Sequence, residues 1–197
     1  THFSSVLDAT PLSCMLYNNP IAYGTDLSAE QIGELASKHR NVHAVKESSG
    51  DVRRLTAVRA LLGSRLALFA GLDDMIVEAL AVGADGWVAG LVNALPAESV
   101  QLVQLAKAGR IEEALRLYAW FLPLLRFDTV PKFVQLIKLV QAEVGMGSEA
   151  VRAPRLPLSV EVNGPLGRMS LAAAGAEVAH SLARQSGLLT AQQDQAL

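Results

Sequence analysis

Four short apolar runs, each followed by a stretch with helical periodicity, recur along the first half of the chain. This alternation limits the available folds more than any other feature. The runs are Leu12–Tyr17, Val42–Lys46, Leu66–Ala70 and Gly86–Gly90, and their ends lie roughly 20 to 29 residues apart. Ser28 to Gln31 carries the capping-box pattern that starts a helix, with Ile32, Leu35 and Ala36 on one face. Asp51 is the expected N-cap of a second helix that turns Val52, Leu55, Val58, Leu61 and Leu62 inward. Asp73 or its neighbour is expected to cap a third, Met75 to Val82. Strand–helix order with short turns is the pattern of parallel βαβ units with helices outside the sheet. It leaves two architectures, a doubly wound sheet or a TIM barrel. No glycine-rich phosphate loop follows any run, which lowers the dinucleotide-binding reading.

Residues 1–9 read as the tail of a helix, broken at Thr10-Pro11. After residue 96 the pattern becomes all helix, with expected spans Pro96–Ala108, Arg110–Leu125 and Val130–Val144. The apolar stretch from Tyr118 to Leu125 reads as core or subunit interface rather than a lipid-binding face. Residues 146–168, rich in Gly, Pro and Arg, read as a wrapping loop; Leu171–Arg184 reads as a last helix, and the tail from Ala191 as frayed.

At 197 residues the chain suffices for one domain or part of a larger one. It is 51% hydrophobic and 18% charged, which is apolar for a free-standing domain. No run approaches the ~20 apolar residues that span a bilayer, and no signal peptide is read at the start. A net charge of -2 offers no basic field to nucleic acid or anionic lipid. The single cysteine, Cys14, excludes an internal disulfide and argues against a metal cluster; it reads as a small buried hydrophobe. A cytoplasmic location is expected, as is a homo-oligomer, dimer or tetramer, because the C-terminal helices are too apolar to face water all round.

The chemistry concentrates at the ends of the runs, which is where a barrel carries its active site. Lys46 stands at the last inward position of the run Val42–Lys46. A buried ammonium costs several kcal/mol unless it is paired or loses its proton, and a neutral lysine amine attacks carbonyl carbons to form Schiff bases. A lone strand-end lysine more often snorkels into solvent, but here Tyr17 ends the preceding run 29 residues earlier, one crossover away. On neighbouring strands about 4.8 Å apart the two side chains would nearly touch. A phenol beside an amine suits proton transfer to a carbinolamine or enamine. The third run ends in Gly71-Leu72-Asp73-Asp74, where one carboxylate either caps a helix or binds a substrate hydroxyl. The fourth ends in Val88-Ala89-Gly90, small enough for close backbone approach to a ligand.

Assembled, these pieces resemble the dihydrodipicolinate synthase / N-acetylneuraminate lyase family, class I aldolase-type TIM barrels. The matching segments are Leu16 to Pro20, Val45 to Asp51, Gly71 to Asp74 and Gly83 to Asn93. Their order fits the second half of a (β/α)8 barrel, strands 5–8. Residues 1–109 are assigned to that half-barrel and 110–197 to a C-terminal helical region, with the likeness reaching to about residue 158. The resemblance implies that Lys46 forms a Schiff base with the keto carbon of a small 2-keto acid and that Tyr17 shuttles protons. It implies that Ser48, Gly71, Asp73, Asp74 and Gly90 contact the substrate tail, and that the backbone of Val88 lies against the keto acid. No metal and no organic cofactor are implied, because the protonated imine is itself the electron sink.

Two departures from the family pattern matter. The family's barrel has four further strands before these, carrying a Gly-Thr-Thr-Gly-type loop that binds the substrate carboxylate, and half a barrel cannot close. The expectation is that this chain is part of a longer protein or is completed by another chain, and that it is not active by itself. Further, true dihydrodipicolinate synthases place an arginine where Ala22 stands, followed here by Tyr23. This argues against condensation with aspartate semialdehyde, whose carboxylate that arginine would hold. The segments from Trp87 and from Trp120 look most like enzymes of hydroxyproline breakdown acting on 1-pyrroline-4-hydroxy-2-carboxylate. A dihydrodipicolinate synthase, a sialic-acid-lyase-like aldolase and a non-catalytic keto-acid-binding member are the alternatives.

Overall fold

The computed structural model describes residues 2–158. The expected helix at Leu171–Arg184 and the tail from Ala191 lie outside the described residues. In chain order the elements are α1 (His2–Asp8), β1 (Cys14–Asn18), the single turn α2 (Pro20–Tyr23), α3 (Ala29–Lys38), β2 (Val42–Glu47), α4 (Arg53–Leu62) and β3 (Ala67–Ala70). There follow α5 (Ile76–Ala81), β4 (Gly86–Trp87), α6 (Pro96–Lys107), α7 (Ile111–Leu125) and α8 (Phe133–Glu143). Three 3₁₀ turns, Asp73–Met75, Leu91–Asn93 and Arg126–Thr129, precede α5, α6 and α8.

The four strands form one parallel sheet in the order β1-β2-β3-β4. Sequential order with a helix after each strand is the winding of a barrel segment, not of a doubly wound sheet, whose strand order reverses at a switch point. From Met15, Ala44 and Ala67 onward the period of two divides the strand residues. Leu16, Asn18, Val45, Glu47, Leu68 and Ala70 are buried toward the helices. Met15, Tyr17, Ala44, Lys46, Ala67 and Phe69 project from the opposite face, where Met15 keeps 44% and Tyr17 38% of its surface in solvent. A register shift between Cys14 and Met15 takes up one extra residue of β2.

One core runs through the helical layer, from Leu7 in α1 through Ile32, Val58, Leu68 and Ile76 to Leu102, Phe121, Leu125 and Val140. The helices after residue 96 share this core. In the stretch Tyr118–Leu125, Tyr118, Phe121, Leu124 and Leu125 are buried, which is the core reading. No helix among the described residues is long and apolar enough to cross a membrane.

The capping box forms as expected: Ser28 Oγ accepts from Gln31 N and Gln31 Oε1 accepts from Ser28 N. Other local expectations are corrected. The helix after β2 begins at Arg53, and Asp51, two residues earlier, accepts from Arg53 N–H and pairs with its guanidinium instead of serving as the N-cap. Leu61 is 54% exposed, because α4 turns Leu55 and Val58 to the core. The fourth strand keeps only Gly86 and Trp87 in the ladder; the chain then turns at Gly90 under the pull of the Asp73 carboxylate.

Candidate active site

The ends of β1 and β2 carry the core of the site. Tyr17 and Lys46 are register partners on adjacent strands, as do their neighbours Asn18 and Glu47. Strand alternation sends the first pair to the open face of the sheet and the second pair into the protein. Lys46 Nζ lies 4.4 Å from the centroid of the Tyr17 ring, a cation–π contact. The Tyr17 hydroxyl accepts a hydrogen bond from Asn19 Nδ2 at 2.9 Å, and Tyr23 packs edge-on against its ring. Beside Tyr17 opens a cavity of about 410 Å³ lined by His2, Phe3, Asn18, Asn19, Tyr23 and Thr25. The ammonium thus sits above the ring face, with the phenol tip turned toward Asn19.

Behind this pair a buried polar network fixes the strand ends. Asn18 Nδ2 donates to Glu47 Oε2 and to Asp26 Oδ1, both at 3.0 Å, while Asn18 Oδ1 accepts from Leu27 N–H. Glu47 Oε1 accepts from Ser49 N–H, and Asn18 carbonyl accepts from Ser48 N–H. Arg54 pairs with Asp26, whose carboxyl its hydrogen bond holds below the usual carboxylate range. Sequence reasoning missed Asn18 and Glu47; the period of two was the available signal, since it places both one step beyond the reactive pair, on the opposite face.

Gly71 follows β3 and lies against Lys46. A Cβ there would lie 1.9 Å from Ser48 Oγ, 2.9 Å from the Glu47 carbonyl and 3.0 Å from Lys46 Cε, so only glycine fits. The Ser48 hydroxyl is 1% exposed and has no hydrogen-bond partner. Lys46, Tyr17, Ser48 and Gly71 are therefore brought together.

Asp73 neither caps a helix nor opens to solvent. It is fully buried, and its carboxylate accepts from Gly90 N–H, Leu91 N–H and the Trp87 indole N–H. Burial, followed by the nearby charge of Asp128, pushes its carboxyl up to about 7. Asp73 is thus the clamp that fixes the loop after β4. Asp74 is set apart, among Tyr118, Glu78 and Arg126; its carbonyl accepts from the Tyr118 hydroxyl, and burial raises its carboxyl. Val88 is half-buried, its N–H bonded to the Ala70 carbonyl. Gly90 lies where a Cβ would meet Ile137, Asp128 and Asp73. Asp128, from the turn after α7, reaches this point although no periodicity in the sequence marked it.

Comparison with known proteins bears on the family and the fold. The family model of the dihydrodipicolinate synthetase family matches residues 1–170. The 4-hydroxy-tetrahydrodipicolinate synthase of Exiguobacterium sibiricum is 38% identical over 159 residues, 80% of this chain and 52% of that protein. The synthase of the same description from Chlorobium phaeovibrioides is 34% identical over 163 residues. The structure of the 4-hydroxy-tetrahydrodipicolinate synthase from Methylacidiphilum fumariolicum SolV superposes with a TM-score of 0.82 at 28% identity, covering 96% of this chain and 61% of that one. The dihydrodipicolinate synthase of Aquifex aeolicus shares the fold, with a TM-score of 0.76 at 22% identity. The chain spans about half the length of the curated relatives it matches, 52% and 54% of these two. Sequence order of the motifs, strand order of the sheet and the family match lead to one conclusion: this chain belongs to the dihydrodipicolinate synthetase family.

Proposed function

We propose that the protein containing this chain is a Schiff-base-forming lyase acting on a small 2-keto acid or cyclic imino acid, with Lys46 as nucleophile and Tyr17 as proton shuttle. The observation that carries this reading is the register pairing of the two, with the amine 4.4 Å above the ring on the sheet face that the described helices leave open. The unprotonated amine adds to the C2 carbonyl to give a carbinolamine; the phenol returns a proton to the leaving hydroxyl, and water departs as the iminium forms. The iminium then accepts the electron pair released when a bond to the neighbouring carbon breaks. Such chemistry calls for no further cofactor.

Within this class we favour a dehydratase or deaminase of the hydroxyproline-breakdown type. Ala22 and Tyr23 stand where a second substrate carboxylate would need a cation, and Tyr23 lines the cavity beside Tyr17. The names of the relatives support the other reading, a 4-hydroxy-tetrahydrodipicolinate synthase. A cytoplasmic homo-oligomer fits the exposed Ile111 and Leu115 on α7. Assaying a panel of hydroxylated and plain 2-keto and cyclic imino acids separates the readings: release of ammonia or water supports the favoured one. Condensation of pyruvate with an aldehyde supports the synthase. Loss of all turnover in Lys46→Ala is expected in each case, and turnover that survives it contradicts the proposal.

A further inference from the structure

The C-terminal helices deliver one carboxylate to the strand ends whose use the fold does not explain. Asp128 lies on the 3₁₀ turn Arg126–Thr129, which packs against the turn Asp73–Met75. Its Oδ2 accepts from Asp73 N–H at the long distance of 3.4 Å. Its Oδ1 faces Gly90, 3.1 Å from where a Cβ would sit, and accepts no hydrogen bond among the described residues. The absence of a side chain at Gly90 keeps that oxygen from being covered. Burial raises the Asp128 carboxyl, while Asp73 N–H and the Lys46 ammonium act in the opposite direction, so the carboxylate lies within electrostatic reach of the nucleophile. A second unpartnered group stands beside the nucleophile: the buried Ser48 hydroxyl, next to Lys46 Cε and Gly71.

We propose that Asp128 is a specificity-determining residue of the Lys46 site, its carboxylate accepting a hydrogen bond from a hydroxyl on the part of the substrate beyond the keto carbon. The proposal rests on Lys46 being the Schiff-base lysine. The Asp128 carboxylate repels a substrate carboxylate, so the keto-acid end is directed toward Tyr17 and the tail toward Gly90. At that end an ionised carboxyl accepts from a hydroxyl and rejects a second carboxylate.

The test uses the full-length protein and a matched pair of keto acids, 4-hydroxy-2-oxobutanoate and 2-oxobutanoate, with borohydride trapping rates read for each. Wild type is expected to favour the hydroxylated acid. Asp128→Asn, and Asp128→Ser as a second variant should the first unfold, are expected to lower that preference about 10- to 100-fold, the worth of a hydrogen bond to a charged group. Trapping of the plain acid is expected to stay near wild type, which a merely structural role would not spare. Equal losses for both acids, or an unchanged preference, overturn the role of Asp128 while leaving Lys46 in place. A wild type that traps neither acid overturns both this proposal and the Schiff-base reading.

Discussion

At the scale of single residues, the site depends on atoms that cannot be moved. Gly71 has an ordinary backbone conformation, so the penalty of a side chain there is one of space alone, against Ser48 Oγ, the Glu47 carbonyl and Lys46 Cε. Gly71→Ala should cost about 1–3 kcal/mol by overpacking and slow imine trapping, read by chemical denaturation and by adduct formation. Adding Ser48→Ala removes the closest clash and should recover part of the stability; no recovery would show that the backbone oxygen decides. Asp73 carries a pH signature. Its folded pKa of about 7 lies well above the ordinary carboxylate range, so the folded state holds the proton more tightly than the unfolded chain. Its contribution to stability is fully present below the unfolded value and is lost as pH rises through about 7. The melting temperature of wild type should therefore fall between about pH 4 and 7, the range this shift spans, relative to Asp73→Asn, which does not titrate. A constant difference across that range would contradict the assignment.

At the scale of elements, the reactive pair is held by what lies behind it. The Asn18–Glu47 bond joins β1 to β2 one residue past Tyr17 and Lys46, and Ser49 N–H and Asp26 complete it. Glu47→Gln presents an amide N–H₂ to Asn18 or Ser49, both donors, and should cost about 1–3 kcal/mol, measured by urea unfolding. The strands themselves were legible because short apolar runs end at turn residues, and the register followed from one crossover length between Tyr17 and Lys46. What the sequence did not carry was the direction of Asp73. A carboxylate before a helix reads as a cap, and only the fold brings Gly90, Leu91 and Trp87 within its reach. Asp128 was illegible for the same reason: its partner Asp73 lies 55 residues away, across three helices. Leu61 misled because the helical stripe was taken one position too wide.

At the scale of the whole molecule, the sheet has one face packed on helices and one face, with Met15, Tyr17 and Lys46, that the described residues leave largely open. Parallel sheets are normally covered on both sides, and in a (β/α)8 barrel the face away from the helices is the interior. The 197-residue chain alone is thus expected to show no turnover and to associate in solution, checked by activity assay and light scattering; full activity of a monomer would refute this. The central claim is that one amine captures a ketone, and peptide mapping tests it most directly. After incubation with pyruvate and borohydride, the full-length protein should carry the reduced adduct on the peptide containing Lys46 and on no other. An adduct on a different lysine, or none at saturating pyruvate, would contradict the account.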